Sequence, residues 1–175
     1  MTTTLPASFL ARCKRAWCHA TTGTAAGKRA FPPATLEAIA QAITQGEQRH
    51  RAEIRLIVEP GLDARAAFNN TTNRQRARAL FAQYGVWDTE ENCGVLIYIN
   101  LAAREVDIVA DRHVGRQVAD AEWQTICRTM TSGFAQGDYH ASTLSALEQL
   151  NTLLARLYPA NGARPNQLPN DAVIL

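Results

Sequence analysis

The chain has no long apolar run, little net charge and no paired-cysteine motif. No stretch of its 175 residues approaches the roughly 20 consecutive apolar residues of a membrane-spanning helix, so a spanning protein is not expected. Eighteen Lys and Arg stand against 16 Asp and Glu, and the resulting net charge of +2 is too small to argue for nucleic acid. The arginines are scattered, and their one local run, Arg74, Arg76 and Arg78, reads as a solvated helix face. Cys13, Cys18, Cys93 and Cys127 form no CxxC and no zinc spacing, and Cys13, Cys18 and His19 lack an evident fourth ligand. Thiols without a disulfide framework suit a reducing compartment.

The familiar loops of nucleotide and hydrolase chemistry are missing too. Gly23, Gly27 and Lys28 fall one residue short of a P-loop, Arg29 replaces its Ser or Thr, and no G-x-G-x-x-G follows a strand. Ser142, Thr143 and Ser145 lack a G-x-S-x-G elbow. At the N-terminus, MTTTLPASFLARCKRAWCHA, the apolar residues precede the basic ones, the reverse of a signal peptide. A cytoplasmic protein is expected. Residues 1–30 form its loosely packed lead-in, a basic, aromatic segment able to touch a partner or a membrane surface, with 21–30 as a loop.

What is present is an ordinary globular composition, 46% hydrophobic and 19% charged, long enough for one domain with a real core. Phe31-Pro32-Pro33 leads into a helix with Leu36, Ile39, Ala40 and Ile43 on one face. Glu53–Glu59 is strand-like and stops at Pro60-Gly61. A helix should cover roughly 64–84, burying Ala77, Leu80, Phe81 and Tyr84, with a weak polar spot at Asn69–Asn73. Gly94–Ile99 reads as a strand buried on both faces, and Glu105–Ala110 alternates as a third strand. Asp120 should cap a helix carrying Trp123, Ile126, Cys127, Met130 and Phe134, and a last helix carries Leu144 to Leu157. The order α-β-α-β-β-α-α predicts an α/β fold: a three-layer, Rossmann-like α/β/α sandwich on a small mixed sheet, spanning 31–159, with 160–175 as a tail.

The chemistry gathers at one sheet edge. The crossover from the first strand to the second should be parallel, and the short turn to the third makes that pair antiparallel. Glu53, the Asp88-Thr89-Glu90-Glu91-Asn92 loop and Asp111 then share an edge. Converging carboxylates repel one another, which raises pKa values or recruits a hard cation, Ca²⁺ or Mg²⁺. The expected metal candidates are Glu53, Asp88, Glu90, Glu91 and Asp111, with Arg104 and Arg112 as phosphate-binding candidates. For any single acid the competing reading is a solvated loop residue near Arg104 or Arg112. His113 could face the same edge, although an exposed loop histidine fits as well. His50 should favour the dipole at the end of the first helix. Trp87, Trp123 and Tyr98 read as core. No nucleophile or general base stands out, so catalytic residues stay unassigned.

These residues carry a resemblance. Leu80-Phe81 before Gly85, the run Gly94-Val95-Leu96-Ile97-Tyr98-Ile99, the closing Asp111, and the step Phe134, Gly137, Tyr139 resemble the TPM domain. Phe31-Pro32, Ala52-Glu53-Ile54-Arg55, Trp87 to Glu90 and Asn166-Gln167-Leu168-Pro169 are similar to marks of its cytoplasmic proteobacterial branch. The resemblance covers about residues 31–170. It implies an α/β/α sandwich, acid phosphatase activity as in the plant branch, and divalent cation binding, calcium in particular. It also implies a protein partner at the membrane or envelope, a LemA-type protein or another TPM protein. The chain departs from the pattern at Cys93, where the family has Asn, at His113 and Ser142-Thr143, where it has Gly, and at Gln167, where it has an acid. These changes remove a potential oxygen ligand and reshape the loops of a site. Two functions follow: a non-enzymatic interaction module whose acidic edge binds a cation and whose flanking segments are contact arms, or a metal-assisted acid phosphatase acting on phosphomonoesters.

Overall fold

The computed structural model describes residues 9–162 and 164–175; residues 1–8 of the expected lead-in lie outside them. Two helices, α1 (Phe9–Thr21) and α2 (Thr24–Ala30), precede α3 (Pro33–Glu47) and strand β1 (Glu53–Glu59). The crossover holds α4 (Ala64–Phe68) and α5 (Asn73–Gln83) and returns through β2 (Gly94–Asn100) to β3 (Glu105–Ala110). A single turn, α6 (Arg112–Gly115), leads to the long helices α7 (Asp120–Ala135) and α8 (Tyr139–Leu157), and β4 (Val173–Ile174) closes the chain.

The sheet order is β3-β2-β1-β4. β1 pairs parallel with β2, Glu53 beside Gly94, and β2 pairs antiparallel with β3, Val95 beside Ala110, as the connection lengths require. Alternation assigns the faces. Ile54, Leu56, Val58, Val95, Ile97 and Ile99 point to one side, where they pack with Ile39 and Ile43 of α3 and with α7 and α8. Ile57, Leu96, Tyr98 and Val109 point to the other and meet Ala77 and Leu80 of α5. This is the expected mixed sheet with helices on both faces.

The predicted helix over 64–84 is split at its polar spot. Asp63 caps α4, accepting the N–H groups of Arg65 and Ala66, and Thr72 and Gln75 form a capping box on α5. Gly94 must be glycine for close approach, since a Cβ there would lie 1.8 Å from the Val86 carbonyl oxygen.

Several local expectations are corrected. Residues 21–30 are not a loop: Thr24–Ala30 is helical, and Gly27 packs against Pro60 and Ile174. The tail contributes a strand, because Val173 and Ile174 find free edge groups on β1. Asp120 lies inside the first turn of α7, with Ala119 in the cap position. Trp87 is 54% exposed and not core. The arginine run is not a uniformly solvated face. Arg76 holds the buried Glu59 bidentately, and Arg74 donates to the Ile108 carbonyl and lies 3.6 Å from Asp107.

Candidate functional site

The acidic edge forms where the strands begin. The Asp111 N–H donates to the Gly94 carbonyl, which sets the end of β3 beside the start of β2, and the Glu53 N–H donates to the Cys93 carbonyl. Glu53, the 88–92 loop and Asp111 therefore share one end of the sheet. Arg104 does not. It lies in the β2–β3 turn, six residues along β2 and roughly 20 Å away by strand geometry. Arg112 stays at the acidic end, exposed, with its N–H on Asp111 Oδ1 at 2.6 Å.

Most of the acids already have partners, supplied by the tail and by Arg51. Glu53 is 8% exposed, and its Oε2 accepts the N–H groups of Gln167 (3.3 Å) and Leu168 (3.2 Å). Burial raises its carboxyl above the usual range, and those two N–H groups oppose the rise. Glu91 lies between two guanidinium groups, Arg51 at 2.5 Å and Arg164 at 2.7 Å, and Arg164 also stands 3.7 Å from Glu90. The Glu90 N–H donates to Gln167 Oε1 at 2.8 Å, so this side-chain amide ties the loop to the tail. Asp88 is exposed. Oδ2 of Asp111 differs from the rest, being buried and without a hydrogen-bond partner.

Cys93 is 2% exposed, donates its thiol to the Arg51 carbonyl at 3.0 Å, and is pushed up chiefly by burial. It props the loop and, as the sequence implies, offers no oxygen ligand. His113 is exposed, and its carbonyl accepts from the Tyr158 hydroxyl at 2.8 Å. Among the described residues, no three of His, Cys, Asp and Glu are grouped as metal ligands would be.

Sequence reasoning missed the residues that complete this end. A cleft of about 830 Å³ runs between the end of α3 and the tail, lined by Glu47, His50, Arg51, Glu53, Arg164 and Asn170 among others. Burial pushes the Glu47 carboxyl up to about 7, helped by nearby Glu53, while its Oε1 accepts the Ile54 N–H at 3.1 Å. His50 is not a dipole-stabilising cation. It is 2% exposed between the Ala52 carbonyl (3.0 Å) and Asn151 Oδ1 (3.1 Å), and burial lowers its pKa. The signal for Glu47 was weak: an acid at a helix end, seven residues before Ile54, the strand residue whose N–H it accepts.

The opposite end of the sheet carries a second polar centre. Glu59 is buried, holds Arg76 at 2.7–3.1 Å and accepts the Tyr98 hydroxyl at 2.5 Å. His19 of α1, also buried, accepts the Leu62 N–H at 3.1 Å, so α1 covers this end.

Comparison with solved structures finds the same fold in proteins that include the following two. The BA42 protein of the psychrophilic bacterium Bizionia argentinensis is similar with a TM-score of 0.72 at 24% identity, over 82% of this chain and 94% of that one. The N-terminal domain of a protein from P. gingivalis is similar with a TM-score of 0.56 at 16% identity, over 75% and 82%. Comparison with curated proteins gives no match. A family model described as TPM domain matches residues 27–153, which run from the end of α2 to the last turns of α8 and include the acidic edge except its C-terminal covering. By that match the chain belongs to the TPM domain family.

Proposed function

We propose that this TPM domain is a non-enzymatic interaction module that docks on a partner surface at the envelope through the outer face of α1. The observation that carries the reading is a helix turned against the usual rule. Arg12 and Arg15 point into the protein, while Phe9, Leu10 and Trp17 stand in solvent at 68%, 78% and 73% exposure. An apolar stripe displayed on a helix anchored by its charges is what a docking surface requires. Replacing Trp17 with a photo-crosslinking residue should give adducts in a native extract that the same residue at Arg156 does not give. Equal labelling at both positions would refute the reading.

A divalent cation, Ca²⁺ or Mg²⁺, belongs to this reading as an element that orders the acidic edge. Support comes from Oδ2 of Asp111, a buried carboxylate oxygen without a partner. Glu90 and Glu91 are further candidates, and they would have to leave Arg164 and Arg51 to join it. A Ca²⁺ or Mg²⁺ titration followed by melting temperature should raise the melting point of the native chain but not of Asp111→Asn. An equal rise in both would place the cation elsewhere.

The cleft favours one second reading, hydrolysis of a phosphomonoester. Arg51 and Arg164 can neutralise phosphate, and Glu47 and Glu53 have the raised carboxyl pKa values of proton donors. Aryl phosphate hydrolysis that disappears in Asp111→Asn and Glu47→Gln, prepared identically, would put this reading ahead. Equal traces in all three would mark a contaminant.

A further inference from the structure

Resting on the docking reading above, we infer that the surface α1 fits is an anionic lipid surface, with the helix lying flat on the headgroups and Trp17 and Leu10 inserted between them. Leu10, Lys14, Trp17 and Thr21 recur at i, i+4, i+7 and i+11, which places them along one line of the helix. Leu10, Lys14, Trp17 and Thr21 are all exposed. On the opposite line, Arg12 donates to the Phe68 carbonyl at 2.8 Å with its guanidinium 4.3 Å from the Phe68 ring, and Arg15 donates to the Thr71 carbonyl at 2.6 Å. His19, 4% exposed, takes the Leu62 N–H. The polar contacts fix α1 to the body in one rotation, so the apolar line is held outward.

The charge around that line has one dominant sign. α1 and α2 contain no acid, and Lys14, Lys28 and Arg29 on them are exposed. Arg65 on the adjoining α4 is exposed, as is Arg104 in the β2–β3 turn, whose Ala102 carbonyl accepts the Cys18 thiol at 3.7 Å and so lies against α1. The exposed acids on these flanking elements are Asp63, committed to capping α4, and Glu105. Cations framing Trp and Leu are the composition of helices that rest in a membrane interface: the indole sits at headgroup depth and Lys reaches the phosphates.

Size separates this occupant from a second copy of the chain. A helix of 13 residues is about 20 Å long, and one face of it offers on the order of 200 Å². That falls well short of the roughly 800 Å² per partner that a stable protein interface buries. An interfacial helix needs only a few inserted side chains together with electrostatic attraction.

The test is flotation of the full chain with vesicles of phosphatidylcholine alone or with about a third phosphatidylglycerol. The protein should float with the anionic vesicles and stay behind with the neutral ones, and about 0.5 M salt should release most of it. Trp17→Ser and Leu10→Ser should each lower the partition coefficient about tenfold, and Lys14→Glu should lower it further, with circular dichroism and melting unchanged because these residues are exposed. Flotation that ignores Trp17→Ser and Leu10→Ser, or no flotation at all, overturns the lipid inference. A dimer in sedimentation that Trp17→Ser dissociates overturns it in favour of a second copy. Failed flotation with a protein adduct still formed at position 17 sinks the lipid inference and leaves the docking reading standing, whereas failure of both sinks both.

Discussion

Arg76→Ala should be among the most damaging single changes to a partly exposed residue of this chain. The guanidinium contacts Glu59 three times, Nε at 3.1 and 3.0 Å and Nη2 at 2.7 Å, and the Glu59 side chain is 8% exposed against 30% for Arg76. The pair raises the Arg76 pKa, chiefly through these hydrogen bonds. Glu59 also takes the hydroxyl of Tyr98, whose pKa is raised by burial and then by that bond, and Asn100 donates to Tyr98 at 3.3 Å. Removing Arg76 leaves a buried carboxylate with one hydrogen bond and no counter-charge. Breaking a buried pair in this way costs about 3–5 kcal/mol. Water reaching the exposed side of Arg76 places the expected loss near 3 kcal/mol, or roughly 6–12 °C of melting temperature for a domain of this size. Arg49 and Glu148 supply an internal control. They are as closely joined, at 2.8 Å, but 41% and 61% exposed, so Arg49→Ala should cost under about 1 kcal/mol. Urea denaturation followed by circular dichroism measures both. The double replacement Glu59→Gln with Arg76→Met should recover much of the loss, because no charge is then left buried. If Arg76→Ala and Arg49→Ala cost the same, burial does not decide the strength of these pairs and the reasoning fails.

The remaining predictions concern titration and thiols. Because burial pushes Glu47 up to about 7 from an ordinary 4.5, the folded chain holds a proton that the unfolded chain releases between those values. Stability should therefore fall as pH rises from about 4.5 to 7 and level off above it. Glu47→Gln should remove up to about 3 kcal/mol of that fall, measured by urea denaturation at mildly acidic and mildly basic pH; an unchanged slope would show that Glu47 titrates normally. His50, whose pKa burial lowers, adds the opposite limb: its contribution is lost as pH drops below its ordinary 6.5. With an aromatic disulfide reagent near neutral pH, exposed Cys18 should react fast while Cys93 and Cys127, the latter pushed up to about 11, stay protected. Cys18→Ser should delete the fast phase, and equal rates for Cys93 and Cys18 would contradict the buried loop.

The parts of the fold legible in the sequence are those set by apolar period and chain connection. Gly94–Ile99 had to be a doubly covered strand, the crossover had to make β1 and β2 parallel, and the short turn had to place Asp111 beside the second strand's start. The break between α4 and α5 was legible as well, because Asn69 to Asn73 offers no apolar residue to bury. α1 was not legible, since its rule is inverted. Arg12 and Arg15 face inward because the carbonyls of Phe68 and Thr71 wait there, and a period count that assigns apolar residues to the interior looks at the wrong side. β4 has two residues, and only its pairing with β1 makes it a strand.

The acidic edge shows the same division within one site. Position along the strands was enough to bring Glu53, the 88–91 loop and Asp111 to one end, because strand direction is set by connection length. Protonation and availability depend instead on what covers them. Arg164 and the amides of Gln167 and Leu168 arrive from the far end of the chain, carried by the tail that Arg55 pins through the Pro169 and Asp171 carbonyls at 2.5 and 2.9 Å. Those contacts convert a cluster that would repel itself into one whose buried charges are mostly matched, and they leave Oδ2 of Asp111 as the edge's unmatched buried carboxylate oxygen. A ligand that gathered Glu90, Glu91 and Asp111 would have to displace Arg164, and the tail would then rest on its Glu53, Arg55 and β4 contacts, on Gln167 at the Glu90 N–H and on Asn170 at Thr44.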